Sequence, residues 1–212
     1  NKAMHLAEPI VAGLGLARPG RFVANRNTLR TVPGRARRSA AAGGPLRAGA
    51  AAPGMSDRLF FALWPDPSLR HALHARVGEI TASVGGKLQR PDQWHVTLEF
   101  LGQVPRERQP ALRAAADRVR RPVVAIEFDR VEYWRKPQVV CLVASHVPMG
   151  LATLVAQLRA ELVQEGFAVE ARGFRPHVTL ARRVRSAVGE RLEPPFLWRT
   201  DGFALVRSVT DP

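Results

Sequence analysis

The tetrapeptide His-Val-Thr-Leu occurs twice, as His95–Leu98 and as His177–Leu180, and takes up two of the chain's six histidines. An imidazole with an unperturbed pKa of about 6.5 can accept a proton when neutral and give one when charged. Two of them suit a reaction that removes one proton and supplies another. The threonine two places after each histidine adds a hydroxyl that can donate to an oxygen on which negative charge builds. Side chains in a strand alternate faces. His95 and Thr97 therefore share one face, and Val96 and Leu98 share the other. The same holds for His177 and Thr179 against Val178 and Leu180. If the two polar faces meet, both imidazoles and both hydroxyls line one site. Arg175 falls on the polar face of its strand and could donate to phosphoryl oxygens. This is a constellation for cleaving a phosphodiester without a metal. No cluster of Asp or Glu accompanies the histidines, which argues against a two-metal hydrolase, so neither metal nor cofactor is expected.

The elements that must position these residues are legible from Met55 onward. Leu59–Trp64 is an apolar, aromatic run that reads as a buried strand. Asp66-Pro67 is a helix-start signal, and Leu69, Leu73, Val77, Ile80 and Val84 follow at helical spacing up to Gly85-Gly86. His95–Leu101 is the first histidine strand, closed by Gly102. A helix within 106–121 carries Leu112, Ala115 and Val119, with Pro110 in its first turn. Val123–Trp134 is a long strand. The order then repeats. Val139–Ala144 is a strand, and a helix over 149–165 buries Leu151, Leu154, Val155, Leu158 and Leu162 before Gly166. Phe174–Ala181 is the second histidine strand, and Gly202–Val209 returns through a Pro194-Pro195 loop. The expectation is an α+β fold of two pseudo-symmetric lobes. Each is a small, mostly antiparallel sheet with helices on its outer face, and the active-site cleft lies between them.

Other chemistry-bearing residues have plainer readings. His71 and His74 are three apart on a helix, a spacing that can hold a metal, but no third ligand is evident and they read as surface residues. Cys141, within Val139–Val143, reads as inert core. Phe60, Phe61, Tyr133 and Trp134 could stack a nucleobase, and alternation allows only one of each adjacent pair on the cleft side. Phe60 is the candidate taken as substrate-binding. Arg182 and Arg183 add positive charge near the second motif, which a solvated face explains equally well.

Composition sets the outer bounds. The chain has 212 residues, a net charge of +14, 46% hydrophobic and 24% charged residues. These values exclude wholesale disorder, a collagen-like chain and a coiled-coil rod. A single cysteine excludes an internal disulfide framework and a cysteine zinc cage. The longest apolar stretch near the start, Pro9–Ala17, is too short to span a bilayer. Residues 1–54 hold nine basic residues and one acid, and residues 55–212 hold 23 basic and 17 acidic ones. The first segment is rich in Ala, Gly, Pro and Arg with no sustained period, and is expected to be a disordered basic leader. It could be a transit peptide, a nucleic-acid-binding arm, or a segment outside the functional protein, with Met55 as the real start. The last of these is preferred. The folded domain is then 55–212.

The paired motifs, in the contexts Trp94-His-Val-Thr-Leu-Glu-Phe-Leu-Gly102 and Phe174-Arg-Pro-His-Val-Thr-Leu-Ala-Arg182, resemble the two-histidine phosphoesterases. Within that superfamily they are most similar to the LigT-like RNA 2′,3′-cyclic phosphodiesterases. The opening Arg58-Leu-Phe-Phe-Ala-Leu-Trp-Pro65 is similar to the family's first strand, and the resemblance covers about residues 56–210. It implies an enzyme that opens an RNA 2′,3′-cyclic phosphate to leave a 2′-phosphate, with His95 as proton donor to the 3′ oxygen and His177 as proton acceptor from water. It also implies reversible 2′–5′ ligation of RNA. The implied partners are RNA ends with a cyclic phosphate, including tRNA fragments or 2′–5′ oligonucleotides, and no membrane; a cytoplasmic monomer is expected. Residues 1–54 depart from the family, and relatives usually continue past the position of Pro212 into a last short strand. Without that strand an edge of the sheet would be left unpaired. The alternative class is a non-catalytic RNA-end or nucleotide-binding module, and a basic RNA-associated protein acting through its arm is a third.

Overall fold

The structure, a computed structural model, describes residues 4–6, 55–187 and 189–210. The described residues form three α-helices and nine strands, in the order β-β-α-β-β-α-β-β-α-β-β-β. The strands are β1 Met4–Leu6, β2 Ser56–Leu63, β3 Lys87–Leu88, β4 Val96–Pro105, β5 Val124–Trp134, β6 Val139–Val143, β7 His177–Arg182, β8 Glu190–Thr200 and β9 Ala204–Thr210. The helices are α1 Pro67–Ser83, α2 Gln109–Arg118 and α3 Met149–Gln164. Each starts or stops where its chemistry dictates. Asp66 caps α1 by accepting from the Leu69 N–H at 2.8 Å, with Pro67 in the first turn. Pro110 lies in the first turn of α2. Gly166, at φ 73°, takes the left-handed position that ends α3.

The strands run in the order β1-β9-β2-β4-β7-β6-β5-β8, all antiparallel, with β3 also on β7. Two four-stranded halves thus meet where β4 faces β7, and each half ends its inner edge in a histidine strand. The repeat in the sequence is not the repeat in space. The strand that follows α2, β5, belongs with β6, because the short turn between Trp134 and Val139 makes those two a hairpin. The last strand, β9, pairs with β2 in the other half. Each half therefore lends its returning strand to its partner. The Pro194-Pro195 stretch, expected as a loop, lies inside β8, which is an edge strand where missing N–H donors cost nothing. The edge of β9 is covered by β1, with Met4 opposite Thr210 and Leu6 opposite Ser208. The remainder of the basic leader lies outside the described residues.

A short linker requires this sheet to curl. Residues 201–203 join β8 to β9. They reach at most about 15 Å, at 3.8 Å per residue step. In a flat sheet β8 and β9 would be six strand spacings apart, about 29 Å. The two outer ends must therefore approach each other. On the face opposite the histidines the three helices share one continuous core with both halves, including Val96, Leu98, Val178 and Leu180, all at most 2% exposed.

A bulge in β4 decides which of its residues reach which face. Ala62 opposes Thr97, whereas Phe61 opposes Glu99 and Phe60 opposes Phe100. Leu98 is the extra residue. Leu98 and Glu99 both turn to the helix side, and Phe100 returns to the histidine side. Glu99 is consequently a buried carboxylate, 2% exposed. It accepts from Arg159 Nε of α3 at 2.7 Å and from the Glu170 N–H at 2.6 Å. Arg159 also donates to the Arg172 carbonyl at 3.4 Å. This pair ties the loop between α3 and β7 to β4. Breaking a buried pair leaves its partner uncompensated, here an arginine that is partly solvated, so Glu99→Ala is expected to cost about 2–4 kcal/mol. A urea titration would read that loss, and hydrogen exchange at the Glu170 amide would rise ahead of the sheet amides.

Candidate active site

Two elements bring the histidines together. Val96 pairs with Val178, and both side chains are fully buried. Continuing that antiparallel register by one residue sets Thr97 opposite His177 and His95 opposite Thr179. The four polar side chains of the two motifs therefore form a crossed quartet on one face. β3 holds the neighbouring stretch of the same β7 edge, with Lys87 opposite Arg182 and Leu88 opposite Ala181, and the Gln89 N–H donates to the Leu180 carbonyl at 2.7 Å. Gly86 makes this docking possible: at φ 98° it lies so close to β7 that a Cβ would stand 2.6 Å from the Arg182 carbonyl oxygen.

Each imidazole is held by the same local device. His95 Nδ1 lies 2.7 Å from the Gln93 carbonyl oxygen, and His177 Nδ1 lies 2.8 Å from the Arg175 carbonyl oxygen. A carbonyl can only accept, so Nδ1 carries the proton in both rings. Nε2 is left as the atom that exchanges a proton at the site. The i−2 carbonyl is available in each case because the chain enters its strand only after that residue.

The surroundings of the two rings differ. His95 stacks on Trp64, with centroids 5.3 Å apart and planes at 5°, and Phe60 lies 5.0 Å away on a tilt. Burial in this aromatic pocket pushes the His95 pKa down to about 4, against the upward pull of the Gln93 carbonyl. Arg182 and His177 lower it further. His177 faces Trp134, with centroids at 4.7 Å. Burial, then Arg172, Arg175 and Arg182, lower its pKa too, and the Arg175 carbonyl opposes them. Glu132 organises that half. It accepts from Arg175 Nη2 at 2.6 Å and from Trp134 Nε1 at 2.9 Å. The Arg175 guanidinium lies 5.5 Å from the centre of the Trp134 ring.

His177, Thr97 and Thr179 line a cleft of about 660 Å³ with Trp134, Arg175 and Arg182 among its walls. His95 stands beside the cleft, enclosed by its aromatic partners. Among the residues expected from sequence, the two histidines and two threonines come together. Arg175 is present at the cleft with its charge shared by Glu132. Phe60 is 7% exposed and packs on His95, so its ring faces the imidazole. Of the adjacent aromatic pairs, Phe61 is core, and Tyr133 is turned away to donate to the Val184 and Arg185 carbonyls at 2.9 and 3.0 Å. His71 and His74 are exposed, and His74 lies 6.0 Å from Trp94. Among the described residues no group of three His, Cys, Asp or Glu side chains could hold a metal ion. Cys141 is buried beneath Thr179, its Sγ 3.9 Å from the Thr179 Oγ1, and burial raises its thiol to about 11. Sequence reasoning did not find Glu132, Glu99 or the stacking of Trp64. The alternation of Glu132 and Trp134 on one face of β5 is the signal that could have found the first.

Among the described residues no helix is long and apolar enough to cross a membrane. The family described as LigT-like phosphoesterase matches residues 63–141 and again 142–212, so that each match contains one histidine motif. The chain is similar to the RNA 2′,3′-cyclic phosphodiesterase of Escherichia coli strain K12, 34% identical over 144 residues, which are 67% of this chain and 80% of that protein. It is similar to the protein of the same name from Thermus thermophilus, 33% identical over 168 residues, 73% of this chain and 83% of that one. Its fold resembles the crystal structure of E. coli LigT complexed with 3′-AMP, with a TM-score of 0.63 and 27% identity over 74% of this chain and 97% of that one. Two matches to the family, one per histidine strand, and two relatives of this similarity establish that the chain belongs to the LigT-like phosphoesterases.

Proposed function

We propose that this protein hydrolyses RNA 2′,3′-cyclic phosphate ends to 2′-phosphate ends, with His95 and His177 as the two proton-transfer groups. The observation that carries this reading is the crossed quartet, in which each Nε2 is the free nitrogen and each imidazole faces the other strand's threonine. Water attacks phosphorus while His177 Nε2 takes its proton. The bond from phosphorus to the 3′ oxygen breaks, and His95 gives its Nε2 proton to that oxygen. The product carries a 3′ hydroxyl and a 2′-phosphate. Thr97 and Thr179 donate to the phosphoryl oxygens as charge builds on them. Arg175, held at the cleft by Glu132, keeps a guanidinium near the phosphate with its charge partly offset, and Phe60 and Trp64 fix the plane of the His95 ring. An RNA 5′ hydroxyl in place of water would give a 2′–5′ bond by the same two transfers. tRNA fragments and 2′–5′ oligonucleotides fit as substrates, and the protein acts as a cytoplasmic monomer. Residues 55–212 form the catalytic domain, so a chain starting at Met55, without the β1 edge strand, retains activity and unfolds cooperatively; loss of either would make β1 a required part of the domain.

Buried surroundings give the pH dependence its sign. The reaction needs one neutral and one charged imidazole. Above both pKa values both rings are neutral, and below both they are charged, so kcat/KM falls on each side. With His95 near 4 and His177 below 6.5 in the free protein, the maximum should lie on the acid side of 6.5. Bound phosphate stabilises imidazolium, so kcat should peak at higher pH than kcat/KM. A kcat/KM maximum above about pH 7.5, a full unit past the ordinary imidazole value, with chemistry rate-limiting, would contradict the desolvation argument.

Substitution divides the labour. His95→Ala and His177→Ala should each lower turnover by about 10² to 10⁴, and the double variant far less than multiplicatively more. Thr97→Val or Thr179→Val should cost about 2–4 kcal/mol of transition-state stabilisation. A leaving group of low pKa departs without a proton. It should rescue His95→Ala and leave His177→Ala inactive, and rescue of the other variant would exchange their roles. A binding module without turnover would show no cyclic-phosphate hydrolysis in excess chelator with the product end identified.

A further inference from the structure

We propose that Arg58 and Phe100 form a second nucleotide platform in the cleft, which takes the nucleotide on the 5′ side of the terminal cyclic phosphate. The protein then prefers an oligoribonucleotide end to a cyclic mononucleotide. This deepens the hydrolysis reading above and rests on it for its kinetic test.

The bulge at Leu98 supplies the platform. In an unbroken strand Phe100 would follow Val96 and Leu98 into the core. The extra residue returns it to the histidine side, opposite Phe60, where it is 37% exposed in the wall of the same cleft as Thr97 and His177. An open aromatic ring on the substrate face, when the helix side offers a continuous core, has no packing explanation. Arg58 lies on the same face of β2, two residues before Phe60, and its guanidinium sits 4.8 Å from the centre of the Phe100 ring. Arg58 is exposed and makes no ion pair among the described residues. The other arginines near this end of the cleft are committed, Arg172 to Glu170 and Arg175 to Glu132. A free cation held over an open ring is a composite that neutralises a phosphodiester and stacks a base.

Position identifies the occupant. Because Leu98 is the extra residue, the step from Thr97 to Phe100 matches only that from Ala62 to Phe60 on β2, about 7 Å at the rise of a strand. β7 runs the opposite way, so the residues preceding His177 lie along the same end. A terminal phosphate held by the quartet leaves this end of the cleft to the preceding nucleotide, with its base on Phe100 and the linking phosphodiester at Arg58. The ring reads no hydrogen-bonding edge, so length is selected and base identity is not.

The test compares a nucleoside 2′,3′-cyclic phosphate with a dinucleotide ending in the same cyclic phosphate. Wild-type protein should favour the dinucleotide in kcat/KM by about tenfold or more, the effect of stacking one base. The ratio should fall to within about threefold of one in Arg58→Ala and in Phe100→Ala, and persist in Phe100→Trp. Arg58→Ala replaces an exposed, unpaired side chain, so it tests the platform without disturbing the fold. The salt slope for the dinucleotide should drop by about 1 in that variant. A wild-type ratio near one, or a ratio that both alanine variants leave unchanged, would overturn the platform. Equal losses on both substrates would place the terminal base on Phe100 and overturn it also. Fluorescence anisotropy with a dinucleotide and a mononucleotide bearing 2′-phosphates separates the two readings. Arg58-dependent preference for the longer probe, in a protein that hydrolyses neither cyclic phosphate, would sink hydrolysis and leave the platform standing.

Discussion

The pairing of Val96 with Val178 is the contact on which the rest of the structure depends. It is the one ladder pair by which β4 meets β7, and it joins two halves that are otherwise antiparallel sheets in their own right. Both valines are fully buried, so the register is held by the core on one face while the polar residues on either side stay on the other. Because side chains alternate, a slip of one residue would bury a histidine and expose a valine. Packing on the helix side thus fixes the geometry of the chemistry on the opposite face. β3 reinforces the join by pairing with the adjacent stretch of β7, which only a glycine at position 86 permits.

Symmetry in the motifs does not extend to their environments. Both rings use a backbone carbonyl two residues earlier to lock the same tautomer. Beyond that, His95 is enclosed by Trp64 and Phe60, whereas His177 stands in the cleft with one aromatic neighbour and a polar arrangement of Glu132, Trp134 and Arg175. An internal duplication supplies two groups of one type; different burial then separates their proton affinities, and in the free protein it favours the neutral form of His95, the ring proposed as proton donor. The enclosed ring has the stronger bias toward neutrality, so charge at His95 depends on the anion bound beside it.

The β4 bulge links stability to recognition. One extra residue sends Glu99 to the helix side, where it anchors the α3–β7 loop, and sends Phe100 to the cleft, where it meets Arg58. The loop so anchored contributes the Arg175 carbonyl that orients His177. Of the two register shifts in the β2–β4 ladder, the one at Leu98 therefore acts on the cleft from both faces of the sheet.

By itself the sequence determined the helices, the histidine strands and which side chains of the two His-Val-Thr-Leu motifs lie on the core face and which on the polar face. Those properties follow from capping residues such as Asp66, from the 3.6-residue spacing of Leu151, Leu154, Val155, Leu158 and Leu162, and from the two-residue period of His95 to Leu98. All are short-range. The paired motifs also made the two threonines and two histidines recognisable as one site. Tertiary structure alone decided which strands are neighbours. β5 and β9 exchange halves because strand pairing is chosen by connection and packing, not by sequence order. It alone decided that Pro194 and Pro195 lie in an edge strand, that Arg175 is shared with Glu132, and that Phe60 turns to an imidazole. The bulge at Leu98 was also illegible, since a period of two carries no mark of an inserted residue until the partner strand fixes the register. Contacts between residues 43 apart, such as Glu132 with Arg175, have no local signature; only the fold brings them within 2.6 Å.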